Sequence, residues 1–145
     1  MIDKDLIEAK FDTIETNIKF LEEFKDKSVE DLESSYKDLQ AIKYSLLEIC
    51  EACIDVANHI IATERLERVE EYSKMFEVLA KNRIIPKKLG EKLAKMAKFR
   101  NLLIHRYAYV KTENLIEIIN SNLVDIVEFM KETEKFLKKK SSSRC

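Results

Sequence analysis

The chain has 145 residues, of which 46% are apolar and only one is Gly and one Pro. That is enough for about one domain with a real core; so little turn chemistry favours helix and leaves no Walker loop, dinucleotide-binding glycine fingerprint or Gly-x-Ser-x-Gly elbow. The net charge of −1 is made of unlike parts, with Lys plus Arg against Asp plus Glu at 10 against 20 over residues 1–80, 10 against 1 over 81–111 and 6 against 6 over 112–145, and such a cationic band points to a polyanion, RNA or a nucleotide.

In chain order, Ile7, Phe11, Ile14, Ile18 and Leu21 recur at spacings of four and three and predict an amphipathic helix over residues 3–24. Ser28 then caps a long helix reaching Ala62, with apolar positions from Val29 and Leu32 through Ile60. At about 34 residues it would span roughly 50 Å, with room for a kink near residues 33–38. The charged stretch 63–69 reads as loop, and Tyr72, Met75, Phe76, Leu79 and Ala80 as a short third helix. Pro86 opens a fourth helix over residues 87–105, its first turn weakened by Gly90. Thr112 caps a fifth through Leu115, Ile119, Leu123, Ile126 and Met130, and residues 138–145 read as a flexible basic tail. The expectation is an all-α, five-helix up-and-down bundle forming one domain over residues 1–137.

Asp3, Asp5, Glu8 and Asp12 break any early apolar run, and the most apolar stretch, 41–62, contains Lys43, Glu48, Glu51 and Asp55. A signal peptide and a membrane span are therefore not expected, and the chain reads as cytoplasmic. Cys50 and Cys53 stand three apart without a second Cys or His pair to complete a zinc site, so they read as small buried hydrophobes. No metal and no cofactor is expected. His59 follows Asp55 by four, a spacing that lets them pair on one helix face.

The fourth helix carries the chemistry. Leu93, Met96, Ala97, Leu103 and Ile104 occupy one side, and Phe99 and Leu102 cover much of the rest. A helix apolar on more than one face needs a second cover, and a symmetric homodimer supplies it. Arg100 and His105 lie about 140° and 7.5 Å apart on a regular helix, an awkward grip on one phosphate for one chain that a two-fold axis relieves. His105 has the pKa to take a ribose 2′-OH proton, Arg100 the fixed charge to hold the phosphate. Asn101, which shares a face with His105, and Tyr107 are placed to position the RNA. Two duller roles compete: Arg100 as the ion-pair partner of a glutamate on a neighbouring helix, and His105 as a helix-end ring satisfied by a carbonyl. Tyr107 could equally be packing. The run Lys81, Arg83, Lys87, Lys88, Lys92, Lys95 and Lys98 is either a solvated face or an RNA or acidic-partner surface.

The string Arg100-Asn101-Leu-Leu-Ile-His105-x-Tyr107 resembles the Arg-x4-His-x-Tyr signature of HepT-like toxins in the HEPN superfamily. Ile54 to His59, Tyr72 to Leu79, Ile85-Pro86 and Met96 to Phe99 are also similar to that family, so the likeness covers residues 40–130. The resemblance implies a dimeric, metal-independent endoribonuclease toxin with Arg100 and His105 catalytic. It also implies a partner, a minimal nucleotidyltransferase antitoxin that adds AMP to the motif tyrosine, here Tyr107. Arg106, at the variable motif position, joins Lys95 and Lys98 as candidate RNA contacts. The alternative is a non-catalytic HEPN module presenting a nucleotide or substrate to a partner nucleotidyltransferase.

Overall fold

A computed structural model of the protein describes residues 1–142, in which helices account for every regular element. Helix α1 (Lys4–Leu21) starts where the Asp3 side chain accepts from the Leu6 N–H at 3.0 Å, a cap that satisfies one orphan donor of the first turn. It buries the predicted seam of Ile7, Phe11, Ile14, Ile18 and Leu21, then tightens into a 3-10 turn over Glu22–Phe24.

The long second helix of the sequence reading is two helices. α2 (Val29–Glu33) begins with a reciprocal capping box between Ser28 and Asp31. Ser34 then bonds back to the Asp31 carbonyl, and Ser35 starts a second helix by accepting from the Asp38 N–H at 3.2 Å. Two side chains competing for backbone groups at adjacent positions turn the expected kink into a break. α3 (Tyr36–Thr63) is the spine, with α1 packed along it.

After the charged loop come α4 (Tyr72–Lys81) and α5 (Lys87–His105), the most extensively paired helices of the fold. Gly90 is what lets them approach. A Cβ there would stand 2.9 Å from Ala80 Cβ and 3.2 Å from the Phe76 carbonyl oxygen, so the residue that weakens the turn by propensity is required by packing. A 3-10 turn over Tyr107–Tyr109 leads to α6 (Thr112–Glu117), a π turn (Ile118–Asn122) and α7 (Leu123–Ser142). Lys111, not Thr112, occupies the cap position of α6, and Thr112 is buried as its first residue. Taking α6 to α7 as one path, six helices among the described residues replace the expected five.

The basic tail is also corrected in part. Residues 138–142 continue α7: Lys140 reaches Glu64 at the end of α3 at 2.6 Å, and Lys4 donates to Ser141 at 2.7 Å. Residues 143–145 of the expected tail lie outside the described residues. The core is one cluster drawing on all the long helices, with Phe76 and Phe129 fully buried and packed edge to face at 5.8 Å. Each such ring contributes about 1.5–3 kcal/mol through area burial alone. Among the described residues no helix is long and apolar enough to cross a membrane.

Candidate active site

Leu89, Leu93 and Ala97 turn one side of α5 into the core, which fixes where its other residues point. At 100° per residue, Lys98, Asn101 and His105 fall within about 60° of each other on the outer face, and all three are exposed, as is Lys95 beside them. Arg100 is turned the other way, toward α3 and α4. The two motif residues that the sequence found awkward to combine do point apart on one chain.

Arg100 is held on three sides. Its Nε–H donates to Glu51 Oε1 of α3 at 2.7 Å, Nη2 lies 2.7 Å from the same oxygen in the ion pair, Nη1–H donates to Asn101 Oδ1 at 3.2 Å, and the Tyr72 ring at the start of α4 lies 4.9 Å from the guanidinium carbon. The ion-pair reading of Arg100 is thus realised. It does not use up the group: a guanidinium has five N–H donors, and these contacts engage three. The Arg100 side chain is 16% exposed and that of Glu51 39%, so the pair sits at a surface edge rather than in the core.

His105 ends α5. It is exposed, and among the described residues its ring has no hydrogen-bond or ion-pair partner; the carbonyl-satisfied reading is not the one seen. Arg106, exposed beyond it, leaves helical geometry at φ −138° while its N–H still closes on the Leu102 carbonyl at 2.8 Å. Tyr107 is then folded back on α3. Its hydroxyl donates to the Gln40 carbonyl at 3.4 Å, its own carbonyl accepts from the Lys43 ammonium at 3.3 Å, and Lys43 Nζ lies 4.8 Å from its ring centre. Partial burial, helped by the nearby Tyr36, pushes the Tyr107 phenol above its ordinary pKa. Ile104, assigned by angle to the apolar side, is 43% exposed.

Lys43, Glu51 and Tyr72 escaped the sequence reading as site residues. A signal existed for two of them: Lys43 and Glu51 are charges within the most apolar stretch of α3, eight positions and so about 80° apart. The Asp55–His59 pairing does not form. Asp55 binds Lys10 at 2.8 Å, and His59 Nε2 accepts from the Asp3 N–H at 2.9 Å, tying α3 to the start of α1. Cys50 and Cys53 are buried, burial pushing the Cys50 thiol up to about 12 and the Cys53 thiol up as well, so neither is an activated nucleophile. A groove of about 440 Å³ between α3, α5 and the π turn has Lys95 at its rim but includes neither Arg100 nor His105.

The sequence profile described as "Ribonuclease HepT-like" matches residues 14–133. The chain is 30% identical over 127 residues to the "mRNA nuclease HepT" of Shewanella oneidensis, covering 87% of this chain and 94% of that protein. It is 25% identical over 137 residues to the "tRNA nuclease HepT" of Aphanizomenon flos-aquae, covering 94% and 92%. Its fold matches the tri-AMPylated Shewanella oneidensis HEPN toxin solved in complex with MNT antitoxin, at a TM-score of 0.83 and 26% identity over 92% of this chain and 99% of that one. The guanidinium, imidazole and phenol described above therefore sit on a fold already known to carry nuclease toxins, and the chain belongs to the HepT-like ribonuclease family.

Proposed function

We propose that the chain is the toxin half of a HepT-type toxin–antitoxin pair, a metal-independent endoribonuclease whose active centre is completed by a second copy of the same chain. One observation carries the reading: α5 presents an exposed imidazole at His105, without a partner among the described residues, and a restrained guanidinium at Arg100 with two N–H groups to spare. They diverge on one protomer, while Phe99, Leu102 and Ile104 leave apolar surface beside them. A two-fold axis along that surface covers the apolar residues and brings the Arg100 of one copy toward the His105 of the other.

In the proposed reaction a neutral His105 takes the proton of a ribose 2′-OH while that oxygen attacks the adjacent phosphorus. The bond from phosphorus to the 5′-oxygen breaks, leaving a 2′,3′-cyclic phosphate. The departing oxygen is protonated by the His105 of the other copy in its imidazolium form. Arg100 holds the non-bridging oxygens and offsets the extra charge of the pentacoordinate state. Lys95, Lys98 and Arg106 guide the strand, and Asn101 and Tyr107 position it. The partner that opposes this activity is a minimal nucleotidyltransferase of the MNT type, with the Tyr107 hydroxyl as AMP acceptor. The AMPylated state of the matching Shewanella oneidensis toxin supports that assignment.

The test is cleavage of single-stranded RNA by the purified chain in excess EDTA, compared with His105→Ala. We expect cleavage by the parent, a drop of about 10²–10⁴ in the variant and an unchanged circular dichroism spectrum. Full cleavage by His105→Ala overturns the catalytic assignment, and loss of cleavage in EDTA overturns the metal independence.

A further inference from the structure

We infer that Glu51 and Tyr72 are positioning residues for Arg100, orienting the guanidinium so that its two uncommitted N–H groups meet the phosphate; this rests on the ribonuclease reading above. The geometry is more specific than charge neutralisation requires. The Nε–H donates to Glu51 Oε1 at 2.7 Å and Nη2 lies 2.7 Å from the same oxygen, which fixes one edge of the planar group. Tyr72 fixes its face at 4.9 Å, and Asn101 takes one hydrogen of Nη1. Contacts from α3, α4 and α5 therefore set the plane, the rotation and the tilt of a side chain that otherwise samples many rotamers.

A negative charge beside a phosphate-binding arginine weakens its pull on an anion. That arrangement makes sense when orientation, rather than attraction, limits the reaction, since an oriented guanidinium pays its reorganisation before the transition state forms. Glu51 also blocks the side-on edge, so a phosphate can approach only along the remaining one. Because Glu51 is 39% exposed, it is not a core residue whose replacement must collapse the fold.

The experiment compares Glu51→Gln, Glu51→Ala and Tyr72→Leu in single-turnover and steady-state RNA cleavage. Glutamine keeps an oxygen that can accept the Nε–H bond and face the same guanidinium edge, and loses the charge. We expect Glu51→Gln within about threefold of the parent kcat, Glu51→Ala at least tenfold down in kcat with KM changed less, and Tyr72→Leu between them. Equal losses in Glu51→Gln and Glu51→Ala overturn the positioning role in favour of proton transfer by Glu51, and full activity in Glu51→Ala overturns any role. An independent readout is the Arg100 Nε–H resonance by nuclear magnetic resonance. It should be resolved and slowly exchanging in the parent and in Glu51→Gln, and exchange-broadened in Glu51→Ala. A resolved resonance in Glu51→Ala counts against the inference even if the parent cleaves no RNA, an outcome that would sink the ribonuclease reading alone.

Discussion

The ammonium of Lys43 lies 4.8 Å from the centre of the Tyr107 ring and donates to the Tyr107 carbonyl at 3.3 Å, although the lysine is only 8% exposed. A buried cation of α3 thus clasps the turn that follows the motif helix and sets where Tyr107 leaves it. Lys43→Met keeps the apolar stem and removes the charge. The lost cation–π contact and charge-assisted hydrogen bond are offset by relief of a buried ammonium, so the net stability change should be under about 2 kcal/mol. The local effect should be larger. Hydrogen–deuterium exchange should speed up at residues 107–110 and stay unchanged in α1; protection retained at 107–110 would show that the clasp does not hold the turn.

The Tyr107 phenol should ionise above the ordinary tyrosine range. Its pKa is raised chiefly by burial and then by Tyr36, so the folded chain favours the neutral, protonated ring. A group whose folded pKa exceeds its unfolded value contributes stability that is fully present below the unfolded value, about 10 for tyrosine, and lost as pH rises through the folded one. Ultraviolet difference titration of the parent and Tyr107→Phe should show that the phenol missing from the variant titrates above the tyrosine reference. The long 3.4 Å hydrogen bond to Gln40 implies little stability loss in the variant, which should also no longer accept AMP from a partner nucleotidyltransferase.

The helical class was legible because a chain with one Gly and one Pro has few other options, and the α1 seam was legible because its spacing is local. The errors came where two local rules competed. Ser28 and Ser35 are both good caps, and the apolar pattern runs on through the break between them, so periodicity alone could not separate α2 from α3. At Asp55 and His59 the four-residue spacing lost to distant partners, Lys10 and Asp3, 45 and 56 positions away. The candidate site divides along the same line. Arg100, Asn101, His105 and Tyr107 share one short string, whereas Glu51 and Lys43 join it across 49 and 64 positions, which only the packing of α3 against α5 reveals.

Gly90→Ala should destabilise the protein, against the usual preference of helices for alanine. Propensity favours Ala by about 1 kcal/mol. The added methyl, however, would stand 2.9 Å from Ala80 Cβ and 3.2 Å from the Phe76 carbonyl oxygen, and neither neighbour is the end of a flexible side chain. Separating α4 from α5 to relieve the overlap costs about 1–3 kcal/mol, for a net loss of up to about 2 kcal/mol and a Tm lower by up to roughly 8 °C in a domain this size. Calorimetry decides it, and a Tm at or above the parent's would mean that the helices part without strain.

If the basic face of α5 tracks an RNA backbone, its affinity must depend on salt in a countable way. Each phosphate neutralised along a single strand contributes about −0.7 to the slope of log K against log salt concentration, through release of condensed counterions. Lys95, Lys98 and Arg106 are all exposed at or near the motif end of α5, with no ion-pair partner among the described residues, so their charge is available to a ligand. In a His105→Ala background that prevents cleavage, replacing all three by alanine should flatten the slope by about 2 and weaken binding alike for different sequences. Lys135 on α7, already paired with Glu132, provides the control, and its replacement should leave the slope unchanged. A triple variant with the parent's slope would reduce this face to a solvated helix surface and move the RNA path elsewhere, even if His105 still cuts.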